Sequence, residues 1–125
     1  MFDYSGTMPA AGDLPHPDRS EITLTGVLFA LSDPERLVIA QQLVDGPLDM
    51  AACSVTDPAM PKSTRSHLMK VLREAGVIRN EPNGRRRLLS LRRDDLDARF
   101  PGVLDAVLEA AEPLPAEFAD AVDAR

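Results

Sequence analysis

The chain has 125 residues, enough for one domain with a modest core and a short tail at either end, so a second independently folded domain is not expected. Its composition, 44% hydrophobic and 27% charged, suits a globular fold, and with only 4% aromatic residues the core must be aliphatic. A formal net charge of -6 argues at first against a polyanionic partner, and a single cysteine, Cys53, excludes an intrachain disulfide and a Cys-x-x-Cys pair.

Residues 1–17, with Gly6, Pro9, Gly12, Pro15 and Pro17, read as a mobile N-terminal arm ahead of a domain spanning 18–111. The first residues lack a basic start followed by an apolar stretch, and no apolar run approaches the roughly 20 residues needed to span a bilayer. A cytoplasmic protein without membrane contact is therefore expected. Ile22, Leu24, Val27, Leu28 and Leu31 predict a helix over 18–31, ended by Ser32-Asp33-Pro34. Asp33 can cap the next helix, with Pro34 at its first position; Leu37, Val38, Ala40, Leu43 and Val44 form its apolar face, and Asp45-Gly46-Pro47 stops it. Leu48 to about Val55 reads as a short third helix, and two prolines, Pro58 and Pro61, mark the turn that follows.

From Lys62 to Ala75, Leu68, Val71, Leu72 and Ala75 recur at the spacing of a buried helical stripe, and Gly76 closes the helix. Opposite Leu68 on a helical wheel lie Ser63, Ser66, Lys70 and Arg73, with Lys62, Arg65 and His67 toward the flanks. Residues 77–80 and 86–91 read as two strands joined through Glu81-Pro82-Asn83-Gly84, with Arg85, Arg86 and Arg87 at the hairpin tip. A last helix starts at Asp94 or Asp95 and bends or restarts at Pro101-Gly102, and the acidic, proline-broken residues 112–125 read as a loosely held tail.

This order predicts a mainly α fold, a winged helix-turn-helix of about five helices with a two-stranded β-hairpin wing. Charge follows the same plan. Between Lys62 and Arg93 ten basic residues stand against two acidic ones, whereas the rest of the chain carries four basic and eighteen acidic. A solvated face would scatter such an excess, but here it coincides with one helix and one hairpin, which favours a phosphate-binding surface. A helix of this kind suits the major groove, roughly 12 Å wide, and the hairpin arginines suit phosphate or a narrow minor groove. His67 lacks a nucleophile and an orienting carboxylate, so a donor to DNA is its more economical role. His16, in the arm, reads as functionally silent, Cys53 as a small buried hydrophobe, and Asp94, Asp95 and Asp97 as helix-start carboxylates. Apolar stripes on the first and last helices exceed what a monomer's core needs and point to a homodimer.

The stretches LSDPERLVIAQQLVDGP, KSTRSHLMKVLREAGVI and GRRRLLSLRRDDLDARFPGVLDAVLEA resemble the ArsR family of bacterial repressors, over roughly residues 20 to 110. The resemblance implies a homodimer joined through the first and last helices that leaves double-stranded operator DNA when an effector binds. It also implies that Lys62, Ser63, Arg65, Ser66 and His67 face the major groove and that Arg85, Arg86 and Arg87 lie on the wing; Thr64, Lys70 and Arg73 of the same helix complete the expected DNA-binding set. Leu68 stands where many relatives carry a second histidine, and the wheel puts it in the core. Metal sensors of the family use thiolate clusters in the third helix or histidine and acidic ligands in the last; here the third offers Cys53 alone and the last contains no histidine. No metal and no cofactor are therefore expected, and a small-molecule or redox effector stays open. The competing function is a winged-helix protein-interaction module without sequence-specific DNA binding, which would usually show a less cationic face. No enzyme is expected, since no phosphate loop or nucleophile arrangement is present.

Overall fold

A computed structural model describes residues 13–114 and Phe118. A 3-10 turn, Arg19–Glu21, leads into α1 (Leu24–Leu31) and α2 (Pro34–Gln42); β1 (Leu48–Asp49) and a second 3-10 turn, Met50–Ala52, follow. Then come α3 (Lys62–Glu74), β2 (Ile78–Asn83), β3 (Arg86–Leu91), α4 (Arg93–Arg99) and α5 (Val103–Ala110). The strands form an antiparallel sheet in the order β1-β3-β2, with Leu48 opposite Leu89 and Ile78 opposite Leu91. This is a winged helix-turn-helix whose sheet has three strands rather than the expected two.

The first helix is shorter than its apolar spacing predicts. Ile22 takes an extended backbone and buries its side chain, so Thr23 becomes the cap of α1, accepting from the Gly26 N–H at 3.1 Å. Asp33 caps α2 as expected, accepting from the Glu35 and Arg36 N–H groups, with Pro34 in the first turn. Residues 48–55 do not form the expected helix. Leu48 and Asp49 pair with β3, and Gln42 takes both backbone groups of Ser54: its Oε1 accepts from the Ser54 N–H at 2.8 Å and its Nε2 donates to the Ser54 carbonyl at 2.9 Å. Those groups are then unavailable to a helical ladder.

The helix expected from Lys62 to Ala75 is α3. Gly76 follows it at φ +85°, and a Cβ there would stand 2.5 Å from Ile22 Cγ1, so the position needs both the left-handed backbone and the missing side chain. In the hairpin Asn83 pairs with Arg86, which makes Gly84-Arg85 the two-residue turn, one position later than the Asn83-Gly84 signal indicates. The last helix is two, restarting after Gly102 at φ +80°.

Aliphatic side chains fill the core: Ile39, Ala40 and Leu43 from α2, Leu68, Met69 and Leu72 from α3, Ile78 and Leu89 from the sheet, and Leu96 and Leu104 from α4 and α5. At the chain ends, the expected arm at 1–17 lies outside the described residues as far as Gly12, but residues 13–17 are tied to the domain. Arg92 donates to the Pro17 carbonyl at 2.7 Å, and the Asn80 N–H donates to His16 Nε2 at 3.0 Å. In the expected tail, Gln41 donates to the Glu112 carbonyl at 2.7 Å and Phe118 is buried. Among the described residues no helix is long and apolar enough to cross a membrane.

Candidate nucleic-acid interface

Helix α3 turns Leu68, Met69 and Leu72 into the core, which forces Lys62, Ser63, Thr64, Ser66, His67 and Lys70 into solvent. Its basic residues divide by position. Arg65 is half-buried and its guanidinium Nη2 donates to the carbonyls of Cys53 and Met50, tying the start of the helix to the second 3-10 turn. Arg73, which the wheel puts on the open face, is 7% exposed: the segment at 13–17 crosses the end of α3, and the Pro15 carbonyl accepts from Arg73 Nη1. Arg73 is thus a buried structural residue rather than part of the open surface. The covering segment comes from residues whose sequence reads as arm, so periodicity alone could not find it.

The wing shows the same division. Arg85 sits exposed at the hairpin turn, and Arg86 is 75% exposed with Asp49 at 3.4 Å. Arg87 instead folds back onto Asn80, donating from Nε to Oδ1 and from Nη2 to the backbone carbonyl, each at 2.8 Å. Three more arginines of the basic stretch pair with carboxylates: Arg79 and Arg92 with Asp95, each at 2.9 Å, and Arg93 with Asp105 at 2.5 Å. Lys62, Lys70, Arg85 and Arg86 therefore supply the projecting positive charge, fewer groups than the sequence count suggests. An open groove of about 690 Å³ is lined by Lys62, Arg65 and Ser66 of α3 and by the three wing arginines, together with Asp49, Met50, Ala51 and Met60.

Sequence reasoning missed Asn80 and Asp49. The first carries a readable signal: it alternates with Ile78 on the inward face of β2, and a buried amide needs a partner. Cys53 is 1% exposed; burial, with a smaller push from Asp49, raises its thiol pKa to about 11 against the opposing pull of Arg65. Its sulfur is a protonated core group at neutral pH. Among the described residues no three His, Cys, Asp or Glu side chains gather as a metal site.

No protein-family model matches the chain. It is 32% identical over 110 residues to the HTH-type transcriptional regulator NmtR of Mycobacterium tuberculosis, covering 85% of this chain and 84% of that protein. It is also 33% identical over 82 residues to the HTH-type transcriptional regulator YceK of Bacillus subtilis, covering 65% of this chain and 82% of that one. The crystal structure of an ArsR family transcriptional regulator shares the fold, with a TM-score of 0.54 and 22% identity over 71% of this chain and 93% of that one. The chain belongs to the ArsR family. The M. tuberculosis protein Rv0081 is a further structural neighbour of this ArsR family regulator, at TM-score 0.50 and 27% identity over 68% of this chain and 88% of that one. Membership makes the protein a DNA-binding transcriptional regulator, in a family of regulators rather than enzymes.

Proposed function

We propose that this ArsR family regulator represses transcription as a homodimer on a pseudo-palindromic operator. Lys62, Ser63, Thr64, Ser66 and His67 of α3 meet base edges in the major groove, Lys70 flanks them, and Arg85 and Arg86 of the wing grip phosphate or the edge of the minor groove. Arg65 and Arg87 act from behind, as supports of the helix and the wing. The observation that carries the reading is the groove in which the start of α3 and the wing arginines face the same open space. Serine and histidine are short, directed donors of the kind that base edges accept from, and the guanidinium fork suits bidentate contact with phosphate. A two-fold pair of such surfaces enters successive major grooves about one helical turn apart.

The homodimer reading is supported by α1, where Leu24 is 41%, Leu28 43% and Phe29 64% exposed. Such side chains on consecutive turns form an apolar face that a second copy would cover. Release by a small organic effector fits this chain better than oxidation of Cys53, whose protonated, buried sulfur is a poor nucleophile.

The test is selection from random duplexes with purified protein, followed by footprinting and light scattering. Recovery of a two-fold symmetric site bound by a dimer is the expected result; an asymmetric site or a monomer on DNA overturns the dimeric operator reading. Alanine at Arg85 and Arg86 is expected to weaken selected and scrambled duplexes alike and to flatten the salt dependence by about 0.9 log unit for each phosphate that is no longer neutralised. Ser66→Ala or His67→Ala is expected to cost about 1–3 kcal/mol on the selected site alone for each base-edge hydrogen bond removed.

A further inference from the structure

Residues 13–18 run as an extended strap across the seam between α3 and the wing. Pro15 and Pro17 carry no N–H and bias Leu14 and His16 toward extended backbone, so the segment forms no ladder of its own and offers its carbonyls sideways. Three elements take hold of it. Arg73 at the end of α3 donates to the Pro15 carbonyl, Arg92 just beyond β3 donates to the Pro17 carbonyl at 2.7 Å, and the Asn80 N–H in β2 donates to His16 Nε2 at 3.0 Å. Asn80 is 6% exposed, and its Oδ1 and carbonyl oxygen are the acceptors that fold Arg87 back onto the wing. His16, Asn80 and Arg87 thus form one hydrogen-bonded chain from the strap to the groove. Leu14 lines the adjoining cleft beside Ser66 and Lys70 of α3 and Arg87 of the wing.

We propose that His16 is a positioning residue for DNA binding: acting through Asn80, its neutral ring fixes Arg87 and the base of the wing relative to α3. The inference rests on the reading of α3 and the wing as the DNA-facing pair, and adds a residue outside that pair. Only neutral imidazole can fill the role, because a protonated ring would turn an Nε2–H toward the Asn80 N–H, two donors without an acceptor between them. The charged groups around the ring are Arg73 from α3, Arg92 from the end of the wing and Glu81 from β2, with the Leu14 backbone on the strap itself and Asp13 lining the same cleft. Burial and then the two arginines lower the His16 pKa below the ordinary value of 6.5, against the Leu14 hydrogen bond and Glu81. The link is complete above pH 6.5 and is lost as pH falls through the folded-state value.

The full chain, His16→Ala and His16→Gln are compared on a duplex selected with the wild type, by fluorescence anisotropy between about pH 8 and pH 5, the range in which imidazole changes charge. Gln presents an oxygen near the site of Nε2 and does not titrate. At the upper pH, His16→Ala is expected to bind about fivefold more weakly, the effect of one hydrogen bond, and His16→Gln within about twofold of wild type. On acidification the wild type is expected to weaken relative to His16→Gln. A histidine acting only as a positive charge would do the opposite and strengthen binding, and His67 is common to both proteins. In parallel, the Asn80 amide and Arg87 Nε–H resonances are followed by NMR without DNA; they are expected to shift with His16 titration in the wild type and to stay put in His16→Gln. Unmoved resonances, or a glutamine variant as weak as alanine, overturn the proposal. Should His16→Ala fail to fold, the comparison of wild type with His16→Gln decides alone. Should selection return no duplex, the DNA-facing reading has failed, while the resonances still decide whether His16 governs Arg87.

Discussion

Asp95 gathers three arginines from three parts of the chain. Its Oδ1 accepts from Arg19 Nε at 2.7 Å, and its Oδ2 from Arg79 Nη2 and Arg92 Nε, each at 2.9 Å. The Arg19 hydrogen bond lowers the Asp95 pKa most, desolvation opposes it, and Arg92 and Arg79 add to the lowering. Solvent screens the outer two partners, 53% and 41% exposed, whereas Arg92 at 5% has little water to fall back on. Asp95→Asn is therefore expected to destabilise the fold by about 2–3 kcal/mol at neutral pH, chiefly by leaving Arg92 buried without its counter-charge. Because the folded pKa lies below the ordinary 3.8, the carboxylate's contribution is complete above that value and disappears as pH falls through the folded one. Urea titrations of both proteins at neutral and acidic pH check this: the gap between wild type and variant is expected to narrow below about pH 4, and a gap independent of pH counts against the ion pairs. None of this is legible in the sequence. An aspartate two residues into a helix reads as a favourable dipole partner, and nothing in its neighbours announces Arg19, a residue 76 positions away.

At the scale of elements, legibility follows the range of the forces involved. Helix α2 and helix α3 are readable because Asp33, Pro34, the leucine spacing and Gly76 act within a few residues of themselves. Residues 48–55 are not, because methionine and two alanines favour helix locally while the deciding partners, Leu89 of β3 and Gln42 of α2, are distant. Gln42→Leu tests that account. It keeps the volume of a side chain only 1% exposed but removes the bonds to Ser54, so a loss of about 2 kcal/mol in chemical denaturation is expected from the orphaned backbone groups. If leucine is neutral there, packing rather than hydrogen bonding shapes the segment. The candidate site is legible to a similar degree. Ser63, Ser66, His67 and Lys70 stand in solvent as the wheel requires, whereas Arg65, Arg73 and Arg87 are engaged by carbonyls and an amide from elements the wheel does not contain.

Across the whole molecule, acidic residues outnumber basic ones by six, yet a cationic groove persists because local geometry, and not net charge, sets the potential at close range. The excess negative charge elsewhere opposes loose association with polyanions, which leaves correctly fitted contacts a larger share of the discrimination. One interior group also gives the molecule a timekeeper. Cys53 lies where α2, the second 3-10 turn and α3 meet, 1% exposed, with its thiol pKa near 11. An aromatic disulfide reagent is expected to leave the native protein untouched on mixing and to react at once in denaturant, with slow labelling in between. When reagent is abundant, that slow rate equals the frequency with which this junction opens, and operator DNA should lengthen the interval if binding clamps α3. With no competing thiol in the chain, each modified molecule records a single opening, so the lone cysteine serves as a stopwatch on the breathing of the junction beneath the reading helix.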